Sequence, residues 1–314
     1  MAKDLPVVAV LMSTYNGEKY IREQLDSIFY QQGVSVRLFV RDDGSTDKTL
    51  KILREYSCKY PIETFTDGEN VRPGESFMRL VYQYADKPDI QYYAFADQDD
   101  IWLEDKLLTA VEAIQLKQWH GPVLYSSNQY IYIDGENKGN RHKTIQRTDL
   151  ISHMTRNTIA GCTFVFNKQL AQLLKTAGEP DSRVIKCRLH DAWIMLISIV
   201  CGQVIYDEKA HMLYRIHDEN TVGIRKISLI EKIRKIKKII FRQNGANIRL
   251  ITSREMLRLF GEKMSTDSKR ILHLYADYQK SWKDKINLML NCDICNECLE
   301  NKWFFRLKIL FNFI

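Results

Sequence analysis

Residues 92–100 read Tyr-Tyr-Ala-Phe-Ala-Asp-Gln-Asp-Asp, and this stretch decides the fold. Five aromatic or small apolar residues make a short strand, and the acids stop it abruptly. Leu107, Leu108, Val111 and Ile114 follow at helical spacing, so the unit is strand, acidic turn, helix. The same unit recurs upstream. Val7–Met12 is an apolar run of strand length, ended by Ser13-Thr14-Tyr15-Asn16-Gly17 and followed by a helical stripe of Ile21, Leu25, Ile28 and Phe29. Val36–Val40 is stopped by Asp42-Asp43-Gly44-Ser45, with Leu50, Leu53 and Tyr56 on the next helix. Ile62–Phe65 precedes a helix carrying Phe77, Leu80, Val81 and Tyr84. Four such alternations predict a parallel α/β sheet. Ligands of such sheets sit outside the carboxyl ends of the strands. The turn at 13–17 and the acids at 42–43 and 97–100 are therefore expected along one rim.

Beyond Gly121 the pattern is mixed. Short strands are expected at 123–125, 130–133, 163–166, 204–206 and 212–216. Asp191 opens an apolar helix over Trp193–Val200, which Gly202 ends. From about 224 the chain reads as helical and basic. This divides it into residues 1–223 and a C-terminal region, 224–314, that is expected to associate with a membrane.

Composition narrows the class. The 314 residues are 45% hydrophobic and 27% charged, ordinary for a globular chain. The net charge of +7 equals that of one segment, Ile224–Arg242, with eight Lys/Arg and one Glu. The remainder sums to neutral. No apolar run of spanning length occurs, so no transmembrane helix is expected. The start, Met-Ala-Lys-Asp-Leu-Pro, has no secretory-signal pattern. An odd count of seven cysteines, mostly scattered, fits a reduced, cytoplasmic chain better than a disulfide framework.

The acids have two readings. Asp97 and Asp99, two apart at a strand end, suit a hard divalent cation that keeps water and substrate phosphate in its shell. Alternatively, Asp99 or Asp100 caps the helix that includes Lys106. Asp42-Asp43-Gly44-Ser45 is turn chemistry, or a carboxylate that accepts from a nucleobase or ribose.

Taken together, Ser-Thr-Tyr-Asn-Gly at 13–17, Asp-Asp-Gly-Ser at 42–45, Asp-Gln-Asp-Asp at 97–100, Arg-Leu-His-Asp-Ala-Trp at 188–193 and Tyr-Arg-Ile-His at 214–217 resemble the signature of family 2 glycosyltransferases. Asn70 with Pro73 and Phe77, Trp102, and Gly161-Cys162-Thr163 resemble the bacterial rhamnosyltransferase branch. The resemblance covers about 1–223 and implies a GT-A fold, a Rossmann-like, mostly parallel sheet flanked by helices. It implies that Thr14 and Tyr15 line a nucleotide-base pocket and that Asp42 or Asp43 contacts the base. Asn70 would lie on the donor loop, where Arg72 and Ser76 stand in place of the family's usual Gly and Asn. Asp97 would sit by the ribose or metal, Asp99 would be the main ligand of Mg²⁺ or Mn²⁺, and His217 would approach the metal or diphosphate. Asp191 would be the general base.

That chemistry is self-consistent. A nucleotide-sugar donor (dTDP- or UDP-sugar) loses a diphosphate whose growing charge a cation stabilises. The acceptor hydroxyl must lose a proton to a carboxylate, and one displacement inverts the anomeric carbon. Arg215 is a candidate diphosphate partner or a surface charge. The residues alone leave Asp191 as a helix cap and His190 and His217 as structural histidines. Other readings are a Mg²⁺-dependent phosphotransferase, and a non-catalytic docking protein with a capped acidic rim.

The C-terminal region adds a setting. Leu229, Ile233, Ile236 and Ile240 form one stripe, with Lys232, Lys235, Lys238 and Arg242 opposite. Such a helix lies on an anionic membrane surface or packs on the catalytic domain. Nucleic acid is not expected, since no aromatic interleaving or nucleic-acid motif accompanies the charge. Trp303–Ile314 holds nine apolar residues in twelve, too few to span a bilayer. The acceptor is then expected to be a polysaccharide or lipid-linked glycan at the inner membrane face. Cys292, Cys295 and Cys298 have partial metal-site spacing, or they pack on one helix face.

Overall fold

The strand Val7–Thr14 (β1) lies at the centre of the parallel half of the sheet in a computed structural model, which describes residues 5–217 and 247–314. Val8 through Met12 are fully buried, as a strand covered by helices on both faces requires. The helix Ile21–Phe29 (α1) follows, then Ser35–Asp42 (β2), Thr49–Ser57 (α2), Ile62–Phe65 (β3), Arg72–Tyr84 (α3) and Tyr92–Ala96 (β4). The order β3-β2-β1-β4 is parallel throughout. Its register places Thr14 beside Asp42 and Met12 beside Ala96. The three turns therefore leave the sheet at one level, and the expected rim is present.

The second half adds short antiparallel ladders to the expected, mostly parallel sheet. Ile101–Trp102 (β5) and the helix Lys106–Leu116 (α4) lead to Val123–Ile133 (β6), a single strand where two were expected. The hairpin partner Glu136–Asn140 (β7), the helix Leu150–Thr155 (α5), Val165–Asn167 (β8), Lys168–Ala177 (α6), Ser182–Cys201 (α7) and Gln203–Arg215 (β9) follow. The strand β9 likewise joins two expected strands. The sheet continues β4-β8-β6-β9-β5, and of these pairs only β6–β9 is parallel. Polar Ser126–Gln129 and Asp207–Lys209 interrupt the apolar signal on which the separate strands were read. Register shifts around Asn128 absorb them without ending the ladder.

The apolar helix at Trp193–Val200 is the second part of α7, whose backbone breaks at Leu189 with φ 66° and ψ 172°. The C-terminal helices are Ile248–Phe260 (α8), Thr266–Asp277 (α9), Trp282–Leu290 (α10), Cys292–Glu297 (α11) and Lys302–Leu310 (α12). They share a core with the sheet. Leu250, Met256, Phe260, Leu272 and Tyr275 belong to the same buried cluster as Leu11, Phe95 and Trp193. Arg188 fastens the two regions, donating to Thr252 Oγ1 at 2.8 Å and to the Met154 carbonyl at 3.0 Å. The expected division at 223 and the basic helix from Leu229 to Arg242 lie outside the described residues. No helix among the described residues is long and apolar enough to cross a membrane.

Leu11 tests this shared core. It is fully buried in β1, in the cluster that also holds Phe77 and Phe95. Leu11→Ala should lower stability by about 2–5 kcal/mol, read as an earlier midpoint in urea denaturation at unchanged slope.

Candidate active site

One side-chain amide, two carboxylates and a buried guanidinium organise one side of the rim. The Gln98 side chain pairs with the backbone of Tyr15, accepting from its N–H and donating to its carbonyl, each at 2.9 Å. Tyr15 itself is half-exposed at the rim. Asp42 is fully buried and accepts from Thr14 Oγ1, Ser45 Oγ, and the Gly44 and Ser45 N–H groups. Thr14 and Asp42 thus hold the turn together, and their polar atoms face each other. Asp43 accepts from Arg41 Nη1 at 2.5 Å, Val71 N at 2.9 Å and Arg72 N at 2.8 Å. Arg41, fully buried, also donates to Asp67 Oδ1, the Glu69 carbonyl and Ser76 Oγ. This network fixes the loop 67–72, on which Asn70 is exposed. Arg72 adopts φ 72°, the left-handed conformation in which glycine is at ease, so Arg72 carries strain of order 1–3 kcal/mol.

The acids at the end of β4 form a recess. The ligand atoms of Asp97, Asp100 and Cys162 lie within 4.8 Å of one another. Burial, then the carboxylates of Asp99 and Asp191, push Asp97 up to about 7. Burial, then the carboxylates of Asp99 and Asp97, push Asp100 well above the usual carboxylate range. Asp100 Oδ1 accepts from Arg215 N at 3.1 Å, and its buried Oδ2 has no partner. Asp99 Oδ2 meets His217 Nε2 at 2.7 Å. Arg215 donates from Nε to the Asp99 carbonyl at 2.8 Å, pairs with Glu23, and lies over the Tyr20 and Tyr132 rings. The capping alternative fails: helix α4 starts at Lys106 after β5, with Asp105 at its N-cap position, and neither Asp99 nor Asp100 caps it.

This donor set fits a hard or borderline divalent cation. Crowded carboxylates with one orphaned buried oxygen, and an imidazole beside Asp99, are oxygen and nitrogen donors of the kind such ions take. The Cys162 thiol is pushed well above its usual range by burial and then by Asp100 and Asp97. A soft sulfur is in any case a poor match for a hard, oxygen-seeking cation such as Mg²⁺.

Asp191 faces the same recess from the start of the second part of α7. Burial pushes its carboxyl up to about 6, against the pull of the Ala192 and Gly161 N–H groups. It accepts from Ala192 N at 2.7 Å. It stands two residues after the break at Leu189, at the start of the second part of α7, whose first part is capped by Asp181. His190 stacks on Phe77 at 4.2 Å between ring centroids, and burial pushes it down to about 3, so it is neutral. Its ring presses on Gly161, where an added Cβ would lie 2.8 Å from His190 Nε2 and 3.0 Å from Asp191 Cβ.

The three clustered cysteines do not converge. Cys292 is exposed and Cys295 is buried with its Sγ donating to the Met289 carbonyl, while Cys298 meets Thr155. Among the described residues, only the Asp97–Asp100–Cys162 group has the proximity a metal needs.

The model of the family described as "Glycosyl transferase family 2" matches residues 9–176, more than half of the chain. A dTDP-rhamnosyl transferase, RfbG, from Shigella flexneri is 34% identical over 217 residues, 68% of this chain and 73% of that one. The chain belongs to glycosyl transferase family 2. An uncharacterized glycosyltransferase of Rickettsia typhi is 23% identical, over 69% of this chain and 66% of its own length. Among solved structures, residues 1–349 of S. aureus TarS share the fold with a TM-score of 0.57 at 14% identity, covering 96% of this chain and 79% of that one. A mannosyltransferase from Pyrobaculum calidifontis, solved with GDP-Man and Mn²⁺, has a TM-score of 0.51 at 16% identity over 94% of this chain and 75% of its own. The family 2 chain has the GT-A fold and is a nucleotide-sugar-dependent glycosyltransferase. The phosphotransferase and non-catalytic readings are set aside.

Sequence reasoning passed over three parts of this glycosyltransferase site. Arg41, a lone cation in an apolar strand, was the available signal for the Asp43 network. Lys106 is fully buried with its amine 3.9 Å from the Trp102 ring centre, and burial pushes it down to about 8. Gln129 donates to Cys162 Sγ at 3.0 Å and accepts from Arg141 at 2.7 Å, a contact between β6 and a loop that no local pattern marks.

The Gly161 contact yields a test. Gly161→Ala should displace the His190 ring and the Asp191 side chain. Turnover is expected to fall by about 10²-fold with nucleotide binding retained, measured by initial rates beside calorimetric nucleotide titration.

Proposed function

We propose that this glycosyltransferase moves a sugar, L-rhamnose from a dTDP donor, onto a hydroxyl of a growing, lipid-linked surface polysaccharide. The donor rests on the Shigella relative, named a dTDP-rhamnosyl transferase, across two thirds of the chain. The transfer chemistry rests on one arrangement: Asp191 and the acids Asp97 and Asp99 facing one recess at the end of β4. The lipid-linked acceptor and a site at the inner membrane face rest on the basic and apolar character of 224–314.

In this reading the nucleotide lies along the turn at 13–17 and the loop carrying Asn70, with Asp43 or Asp42 towards the base and Tyr15 at its edge. Asp97, Asp99 and His217 would hold Mg²⁺ or Mn²⁺, which when bound supplies positive charge to the departing diphosphate. Arg215 reaches the same side, its guanidinium steadied between Tyr20 and Tyr132. Asp191 accepts the proton of the attacking acceptor hydroxyl. Its raised carboxyl makes it a better base than an exposed aspartate, because burial favours the protonated product. One displacement gives inversion.

Two measurements test this. Thermal shift with dTDP-, UDP- and GDP-sugars, with Mg²⁺, Mn²⁺ or EDTA, should show metal-dependent stabilisation by the dTDP-sugar. At 100 times Kd this amounts to about 2.7 kcal/mol. Asp99→Ala should abolish the metal dependence; absence of a shift with every one of these nucleotides would overturn the reading. Second, Asp191→Asn should lose about 10²–10⁴-fold in kcat while the thermal shift persists. Asp191 must be ionised to act, so wild-type kcat/KM should fall as pH drops through about 6.

A further inference from the structure

Helices α10 and α12 turn an apolar face outward. They lie antiparallel, locked where Lys285 Nζ donates to the Leu310 carbonyl and Arg306 Nε to the Met289 carbonyl, each at 3.3 Å. Leu288, Phe305 and Ile309 point inward and are fully buried. At about 100° per residue, Trp303, Leu307, Phe311 and Phe304 occupy an arc of about 100° on α12 and its end. Trp282, Ile286 and Leu290 occupy a similar arc on α10. The contact points Lys285 and Arg306 sit at the same angle from each arc, so in an antiparallel pair both arcs face the same side. They form one continuous surface, with Trp282 at 68% and Trp303 at 74% exposure.

The flanks say what covers it. Lys308 lies over the Phe304 ring at 5.4 Å, on one edge of the α12 arc, and pairs with Glu300 at 2.8 Å, while Arg306 lies over the Trp303 ring at 5.8 Å, on the other edge. Residues 302–314 hold Lys302, Arg306 and Lys308 and no acid, so even with Glu300 counted this end of the chain keeps an excess of positive charge. A second copy of this chain would set these cations against one another. A bilayer with anionic headgroups complements both features, taking the apolar arc into its interface and the cations against its phosphates.

We propose that the outer face of α10 and α12 docks the enzyme on an anionic phospholipid bilayer, with Trp282 and Trp303 inserted at headgroup depth. The proposal deepens the lipid-linked-acceptor reading and rests on it for its purpose. The docking holds the catalytic recess at the surface where such an acceptor lies.

The test is co-sedimentation of the full chain with phosphatidylcholine vesicles, with and without phosphatidylglycerol. Binding is expected with phosphatidylglycerol, weakening with salt, and at least about tenfold weaker for Trp303→Glu combined with Leu307→Glu. Trp119→Ser, which removes an exposed tryptophan remote in sequence from this face, should bind as wild type. Brominated acyl chains should quench wild-type fluorescence, and less so after Trp282→Phe with Trp303→Phe, a pair that keeps ring packing should the glutamate pair not fold. Wild type that binds neither vesicle, or variants that bind and quench unchanged, would overturn the proposal. So would a wild-type dimer that the glutamate pair dissociates without any vesicle binding. The nucleotide thermal shift is read on every variant. Its persistence separates failure of this face from failure of the glycosyltransferase reading.

Discussion

Four carboxylates held in one recess repel one another, and much of the surrounding structure answers that repulsion. Asp97, Asp99, Asp100 and Asp191 come from a strand end and a distant helix, and the sheet register gives them no room to separate. The chain answers with hydrogen-bond donors and cations at the edges. Arg215 contributes its backbone N–H to Asp100 and its side chain to the Asp99 carbonyl, His217 meets Asp99, and two backbone N–H groups face Asp191. What stays uncompensated shows in the raised carboxyls of Asp97 and Asp100 and in an oxygen with no partner. A cation is the simplest agent to relieve such crowding, and the family supplies a reason for one.

Two backbone positions near the site hold conformations that their side chains resist. Arg72 and Leu189 both have positive φ, although neither is glycine. The first is held because its N–H must reach Asp43. The second breaks α7 so that the Arg188 side chain can reach α5 and α8 while Asp191 faces the rim. Strain at such positions persists only where surrounding contacts overdetermine it. Here those contacts are the buried Arg41 network on one side and the Phe77–His190–Gly161 stack on the other.

The parallel half of the fold was legible because its code is local. Each strand ends within two residues of its apolar run, and Thr14, Asp42 and Asp97 stand at those ends. The antiparallel half was not, because Ser126–Gln129 and Asp207–Lys209 break the run without breaking the ladder. Among site residues, the meeting of Asp99 with His217 across 118 positions followed from resemblance rather than from spacing. The close pressing of His190 on Gly161 and the buried amine of Lys106 are tertiary facts with no local pattern. Cys292, Cys295 and Cys298 left two readings open, a partial metal site or packing on one helix face. The helix ends at Glu297 and turns the third cysteine elsewhere, so the three share neither.

The C-terminal helices do more than extend the chain. Met256, Phe260 and Tyr275 lie in one hydrophobic mass with Trp193, two residues from Asp191, and Arg188 crosses the same boundary. The C-terminal helices are therefore welded to the segment that carries Asp191. Such an enzyme cannot trade its C-terminal part as an independent cassette. Any change there must be repacked against α7, and the two regions are constrained to evolve as one unit.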